Sequence, residues 1–119
     1  MNIAVTSQGE TLDSKVDPRL GRTKFFIVYD LEKNEFAPMN NSQNLNAAQG
    51  AGIQAAQNII GTASEAVITG NCGPKAFRVL SAGDVKVFKA VEGTVGDNIE
   101  KYRKGELKEM DNANVEGHW

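Results

Sequence analysis

Hydrophobic positions in this chain fall into short runs separated by polar, glycine-containing turns. The first run, "NIAVTS" (Asn2–Ser7), is rich in β-branched residues and ends in polar ones, which predicts a buried strand. "KFFIVYD" (Lys24–Asp30) and "EFAPMN" (Glu35–Asn40), parted by the polar "LEKN", predict a hairpin. Pro38 lacks an N–H to donate, so the second hairpin strand belongs at a sheet edge. After the polar connection "NSQNLN", the segment "AAQGAGIQAAQNIIG" places Ile53, Ala56 and Ile60 at helical spacing, and Gly61 suits the stop. The pattern then alternates: "EAVITG" a strand, "PKAFRVLSAG" a short helix, "VKVFKA" a strand and "TVGDNIEKYRKG" a helix. Thr94 and Asp97 have capping-box spacing at the start of that last helix. Lys101, Arg103 and Lys104 complement its dipole before Gly105. Residues 9–23 show weak periodicity and several turn formers, and they read as a long loop of the kind that often binds ligands.

The element order is therefore strand, hairpin, helix, strand, helix, strand, helix. Right-handed crossovers make the strands starting near Asn2, Glu65 and Val85 parallel neighbours, with the hairpin extending the sheet on the other side. The expected fold class is α/β, one five-stranded mixed sheet of order 3-2-1-4-5 with about three helices covering it. A chain of 119 residues fits a single domain, expected over residues 1–107, with 108–119 as a flexible tail lacking periodicity.

With 13 basic and 15 acidic residues the formal charge is −2, and no basic stripe marks a nucleic-acid surface. No apolar run approaches the ~20 residues that span a bilayer. The N-terminus "MNIAVTSQGE" lacks the pattern of a secretion signal, and a single cysteine forms no internal disulfide, so the expected compartment is the cytoplasm.

Ligands of open α/β sheets bind beyond the carboxyl ends of the parallel strands. Three segments converge there: the loop after strand one, the turn "GNCGPK" after strand four and the turn "AVEGT" after strand five. Pro74 suits the first helical position, so the backbone from Gly70 through Asn71 and Cys72 to Gly73 leads into a helix entrance that favours anions. Lys75, in the first helical turn, opposes the dipole unless it faces an anion or solvent. Arg19 and Arg22, flanking Gly21, offer further donors or a solvated charged loop. Gly50 and Gly52 crowd the start of the first helix and allow close approach.

Cys72 is a nucleophile, a metal ligand or a small residue in a tight turn. The only histidine, His118, lies in the tail, which leaves a cysteine nucleophile without an evident base. One thiolate suits a soft metal but cannot close a site, so any metal would arrive with other ligands attached. The strand order is also that of ribonuclease H-like folds, whose nucleases need clustered carboxylates beginning in strand one. Ile3, Ala4, Val5 and Thr6 offer none, and strand four ends in Thr69 and Gly70.

The segments "DPRLGRTKFFIVYD", "GAGIQAAQNII", "AVITGNCGPKAFRVLSAGDVKVFKA" and "GTVGDNIEKYRKGEL" together resemble the dinitrogenase iron-molybdenum cofactor biosynthesis family, of the NifX and NifB C-terminal type, from Met1 to about Leu107. The resemblance implies a ribonuclease H-like three-layer α/β fold and non-covalent binding or carriage of metal-sulfur clusters. The family also includes stand-alone proteins and the similar orange protein, which holds a molybdenum-copper sulfide cluster. Nitrogenase-associated members often carry a histidine just before the phenylalanine of an "FGR" motif, or before the glycines that open helix one. Here those places hold Arg19, before Leu20, and Gln49, which moves the expectation toward a stand-alone relative with a different cluster or none.

The function expected is that of a small carrier without turnover chemistry. It would bind an iron-sulfur, iron-molybdenum or molybdenum-copper sulfide cluster, or a similar anionic cofactor, and could be purified without it. The cofactor-binding set is Arg19, Gly21, Arg22, Gly50, Gly52, Gly70, Asn71, Cys72, Gly73 and Lys75, with Cys72 the candidate metal ligand. Expected partners are cluster donor and acceptor proteins, with no nucleic acid or membrane, and the chain a monomer or weak homo-oligomer. An interaction module that has lost the cluster, or a Cys72-dependent enzyme, are the alternatives.

Overall fold

The structure is a computed structural model that describes residues 1–41 and 50–112. The described residues form β1 (Asn2–Ser7), β2 (Phe25–Asp30), β3 (Glu35–Asn40), α1 (Ala51–Gly61), β4 (Ser64–Thr69), α2 (Pro74–Ala82), β5 (Lys86–Lys89) and α3 (Val95–Arg103). The strands build one sheet in the order β3-β2-β1-β4-β5, as the connection rules require. β1 runs parallel to β4 and β4 to β5, whereas β1–β2 and β2–β3 are antiparallel.

Alternation along the strands divides the core between two faces. Ala4, Phe26, Val67 and Val87 lie on one face, packed with Ala55, Ala56 and Ile59 of α1 and Ala76 and Leu80 of α2. Ile3, Val5, Ile27, Ala66 and Ile68 lie on the other, with Val95 and Ile99 of α3 and with Leu107. The result is three layers with β1 and β4 buried on both sides, which is why they read as continuous apolar runs.

Helix α1 turns a different face to the core from the one expected. Its buried residues are Ala51, Gly52, Ala55, Ala56 and Ile59, while Ile53 and Ile60 are only half buried. Small residues let α1 lie close to α2 and the sheet, and the larger isoleucines flank that contact. The helix ends at Gly61, as expected, with Thr62 as its C-cap, but the left-handed residue is Ala63, at φ 58°, rather than the glycine. Helix α3 has the expected start, with Thr94 Oγ1 accepting from the Asp97 N–H at 3.1 Å and the Asp97 carboxylate accepting from the Thr94 N–H.

Strand β3 is exposed throughout and forms one sheet edge. The Asn41 N–H donates to the Lys24 carbonyl at 2.8 Å. Alternation then turns the odd-numbered residues of β3 toward β2 and the nitrogen of Pro38 outward, where the missing donor costs the ladder nothing. The opposite edge differs from the expected boundary at 107, because residues 108–110 pair along β5. The Lys89 N–H donates to the Lys108 carbonyl and the Met110 N–H to the Val87 carbonyl, each at 2.8 Å. The rest of the expected tail from residue 113, including His118, lies outside the described residues, as do most of the "NSQNLN" connection and Gln49.

The long loop after β1 is stitched down. Its Gln8 N–H reaches the Lys15 carbonyl, the Asp17 N–H the Thr6 carbonyl, and the Val16 N–H the Gly93 carbonyl. Further on, the Val95 and Gly96 N–H groups of α3 donate to the carbonyls of Ser14 and Leu12, both at 2.9 Å. Among the described residues, no helix is long and apolar enough to cross a membrane.

The left-handed conformation of Ala63 sets a stability test. Ala63→Gly relieves the Cβ clash at φ 58° and should stabilise the fold by about 0.5–1 kcal/mol, read as a higher urea midpoint with an unchanged slope.

Candidate functional site

The parallel strands β1, β4 and β5 end at Ser7, Thr69 and Lys89, so the loops that follow them share one edge of the sheet. α1 runs back from that edge to the start of β4, which puts its N-terminus on the same side as that of α2. The seam between β1 and β4 closes there through buried hydroxyls: Thr6 Oγ1 donates to the Asp17 carbonyl at 2.6 Å and lies 3.0 Å from Thr69 Oγ1. The loop is thereby laid across the end of β4. Arg19 pairs with Asn71 in a parallel bridge, and the Leu20 N–H donates to the Asn71 carbonyl at 3.3 Å.

Sequence reasoning placed Arg19 and the "GNCG" turn in one site, and the structure does bring these segments together. Arg19 is exposed, and its Nε lies 3.7 Å from Asp17 Oδ1. Lys75 is also exposed and forms no ion pair among the described residues. Gly21 is buried and Arg22 half buried beside them in the chain. Gly50 sits at φ 77°, a conformation that favours glycine, and the space a side chain would take there is open. Gly52 is buried in the first turn of α1.

Two glycines of the turn have reasons other than ligand approach. A Cβ on Gly70 would lie 2.9 Å from Pro18 Cα and 3.0 Å from the Pro18 carbonyl oxygen. The missing side chain therefore makes room for the loop. Gly73 has φ −75° and ψ 166°, extended backbone that other residues adopt readily.

The helix that follows is open at its N-terminus. Pro74 occupies its first turn, no side chain caps it among the described residues, and the Phe77 N–H returns to the Gly73 carbonyl at 3.0 Å. α3 differs, since Leu12, Ser14 and Thr94 supply acceptors for its first amides. Both helices follow parallel strands, yet among the described residues only α3 has its first amides met by acceptors from another segment.

Cys72 is fully buried and belongs to the core cluster with Leu20, Ala55 and Ala76. Its Sγ approaches the Gly73 carbonyl at 3.6 Å. Burial pushes the thiol up to about 12, so it stays protonated at neutral pH and is inert as a nucleophile in this state. For its sulfur to meet a metal, the turn would have to open.

Two site residues were missed by sequence reasoning. Asp17 is almost fully buried and accepts the Arg19 N–H at 2.9 Å. Burial holds its carboxyl above the usual range, against the opposing pull of Arg19. The signal was available in "DPR", since aspartate before proline favours a turn that takes the N–H two residues on. Lys89, the last residue of β5, donates from Nζ to the Gly70 carbonyl at 2.6 Å. Its place at the carboxyl end of a parallel strand was the signal.

Gly70→Ala should cost about 1–3 kcal/mol in urea denaturation, because Pro18 presents backbone rather than a movable side-chain tip. The Cys72 thiol sets the sign of an alkaline effect. Below its ordinary value of 9.0 both states hold the proton; between 9.0 and about 12 only the unfolded chain releases it, so its contribution to stability is lost as pH rises through that window. Urea midpoints across the window should fall less steeply in Cys72→Ala than in the unmodified protein.

The sequence model of the family described as "Dinitrogenase iron-molybdenum cofactor" matches residues 1–105. The apo form of the orange protein from Desulfovibrio gigas superposes with a TM-score of 0.93 at 35% identity, covering 96% of each chain. A candidate NifB protein from Thermotoga superposes with a TM-score of 0.84 at 33% identity, covering 98% of each. An uncharacterised protein of Methanocaldococcus jannaschii is 26% identical over 101 residues, 83% of this chain and 86% of its own. The chain belongs to the dinitrogenase iron-molybdenum cofactor family.

Proposed function

We propose that this protein is a carrier, rather than a catalyst, for a metal-sulfur cluster or a similar anionic cofactor held non-covalently at the entrance of α2. Membership of the family, with the orange protein and a candidate NifB protein as structural neighbours, supports a role in the biosynthesis or carriage of iron-molybdenum cofactor. The observation that carries the reading is the uncapped N-terminus of α2, with Lys75 in its first turn and Arg19 on the adjoining loop.

The donor set fits such a group. Among the described residues no three histidine, cysteine or acidic side chains gather to hold a bare metal ion. A sulfide-rich cluster brings its own ligands and a negative charge, and needs from the protein amide N–H groups and cations. The first amides of α2, Lys75, Arg19 and Arg22 supply these, while Gly50 keeps the neighbouring helix entrance low. Gly21, Gly52, Gly70, Asn71 and Gly73 shape the walls, and Cys72 supports the turn from the core side. The cytoplasm, where thiols and sulfide clusters stay reduced, is the compartment that suits this cargo, and cluster donor and acceptor proteins are its partners.

The test is anaerobic reconstitution with iron, sulfide and either molybdate or copper, followed by desalting, absorption spectroscopy and metal analysis. The unmodified protein should retain metal and sulfide together with charge-transfer bands. The double variant Arg19→Ala, Lys75→Ala should bind at least about tenfold more weakly, as expected for the loss of two charge-assisted contacts. Cys72→Ala should retain the bands. Equal retention by the unmodified protein and the double variant would count against this site.

A further inference from the structure

Between Glu35 and Glu65 the chain carries no Asp, Glu, Lys, Arg or His, although it is 24% charged overall and holds 13 basic and 15 acidic residues elsewhere. That stretch contains β3 and α1. A helix on the outside of a domain normally turns charged residues to water. α2 does so with Lys75 and Arg78, and α3 with Asp97 and Glu100, all of them exposed. α1 presents Gln54, Gln57 and Gly61 instead, flanked by half-buried Ile53 and Asn58. The exposed Met39 and Ala37 of β3 stand opposite Phe26 and Val28, which puts them on the face of the sheet that α1 covers.

We propose that the outer face of α1 is a contact surface for a second copy of this chain, α1 meeting α1 across a two-fold axis with Gln57 at the centre. Depletion of charge is what marks the core of a protein–protein contact. The occupant follows from the chemistry of the face. A two-fold contact sets the same patch of both copies against itself, so the patch must be its own complement. Lysine or glutamate fails that condition by repulsion, whereas a primary amide donates and accepts at once and pairs with its own kind. Gln54 and Asn58 make such a pair within one helix, with Gln54 Nε2 donating to Asn58 Oδ1 at 3.1 Å. The Gln57 side chain is exposed and forms no hydrogen bond among the described residues, which leaves its amide for a partner. Gly61, one turn further on, has open space where a side chain would stand, so nothing there holds a second helix off. A foreign partner could answer charges with charges of opposite sign, and a face that met one would have no reason to lack them.

The test is sedimentation velocity on the full chain over a range of concentrations up to millimolar. The unmodified protein should show a reversible monomer–dimer equilibrium. Gln57→Glu and Gln57→Lys should each keep the helical circular dichroism, because the position is exposed, and should weaken the dimer at least about tenfold by setting like charges against each other. An equimolar mixture of the two variants should associate again, since the facing charges are then opposite. An unmodified protein that stays monomeric at millimolar concentration overturns the proposal, and so does a dimer that neither variant weakens. Variants that dissociate singly and fail to associate when mixed overturn the pairing of α1 with α1.

Discussion

The hydroxyl of Thr6 joins the end of β1 to the Asp17 carbonyl and to the hydroxyl of Thr69. Three segments far apart in sequence are registered against one another at this buried point. Together with the bond from the Leu20 N–H to the Asn71 carbonyl, it lays the loop after β1 across the end of β4, where Pro18 rests on Gly70. The placement of Arg19 beside Asn71 follows from the same crossing. A threonine in an otherwise apolar strand is tolerable here because its donor is used; an unpartnered hydroxyl at this depth would be destabilising by about 1–3 kcal/mol.

The two helices that follow parallel strands show how the same architecture yields different ends. Each places its first amides at the carboxyl edge of the sheet, where a negative group is favoured. For α3 the chain itself fills that role, with the carbonyls of Leu12 and Ser14 and the side chain of Thr94. Among the described residues, α2 has no such acceptors from another segment. The length of the loop after β1 is thus divided in labour: its first half closes one helix, and its second half frames the other.

Much of this was legible in the sequence. Runs such as "NIAVTS" and "EAVIT", the capping pair Thr94 and Asp97, and the proline in "EFAPMN" each carry a local physical signal, and connection rules convert the element order into the strand order. The burial face of α1 was not legible, because Ile53 and Ile60 look like core residues until α2 comes close enough to require alanine and glycine instead. The role of Gly70 was hidden for a related reason: its neighbour Pro18 is distant in sequence, and close approach to a ligand and to the chain's own backbone leave the same letter. Cys72 drew attention as a rare residue, yet only its surroundings reveal a thiol deep in an apolar cluster. The pairing of residues 108–110 along β5 rests on main-chain bonds, which leave no periodic trace over three residues.

That last pairing bears on how another protein could approach. The β5 edge is covered by residues 108–110, and on the far side Pro38 turns a nitrogen without a proton outward from β3. Neither margin of the sheet offers an uninterrupted run of donors and acceptors for a visiting strand. Exchange with a second protein by sheet extension is therefore disfavoured on both flanks. The open approach is along the strand axes, onto the carboxyl edge, where a visitor would meet Arg19 and Lys75 before it met the sheet.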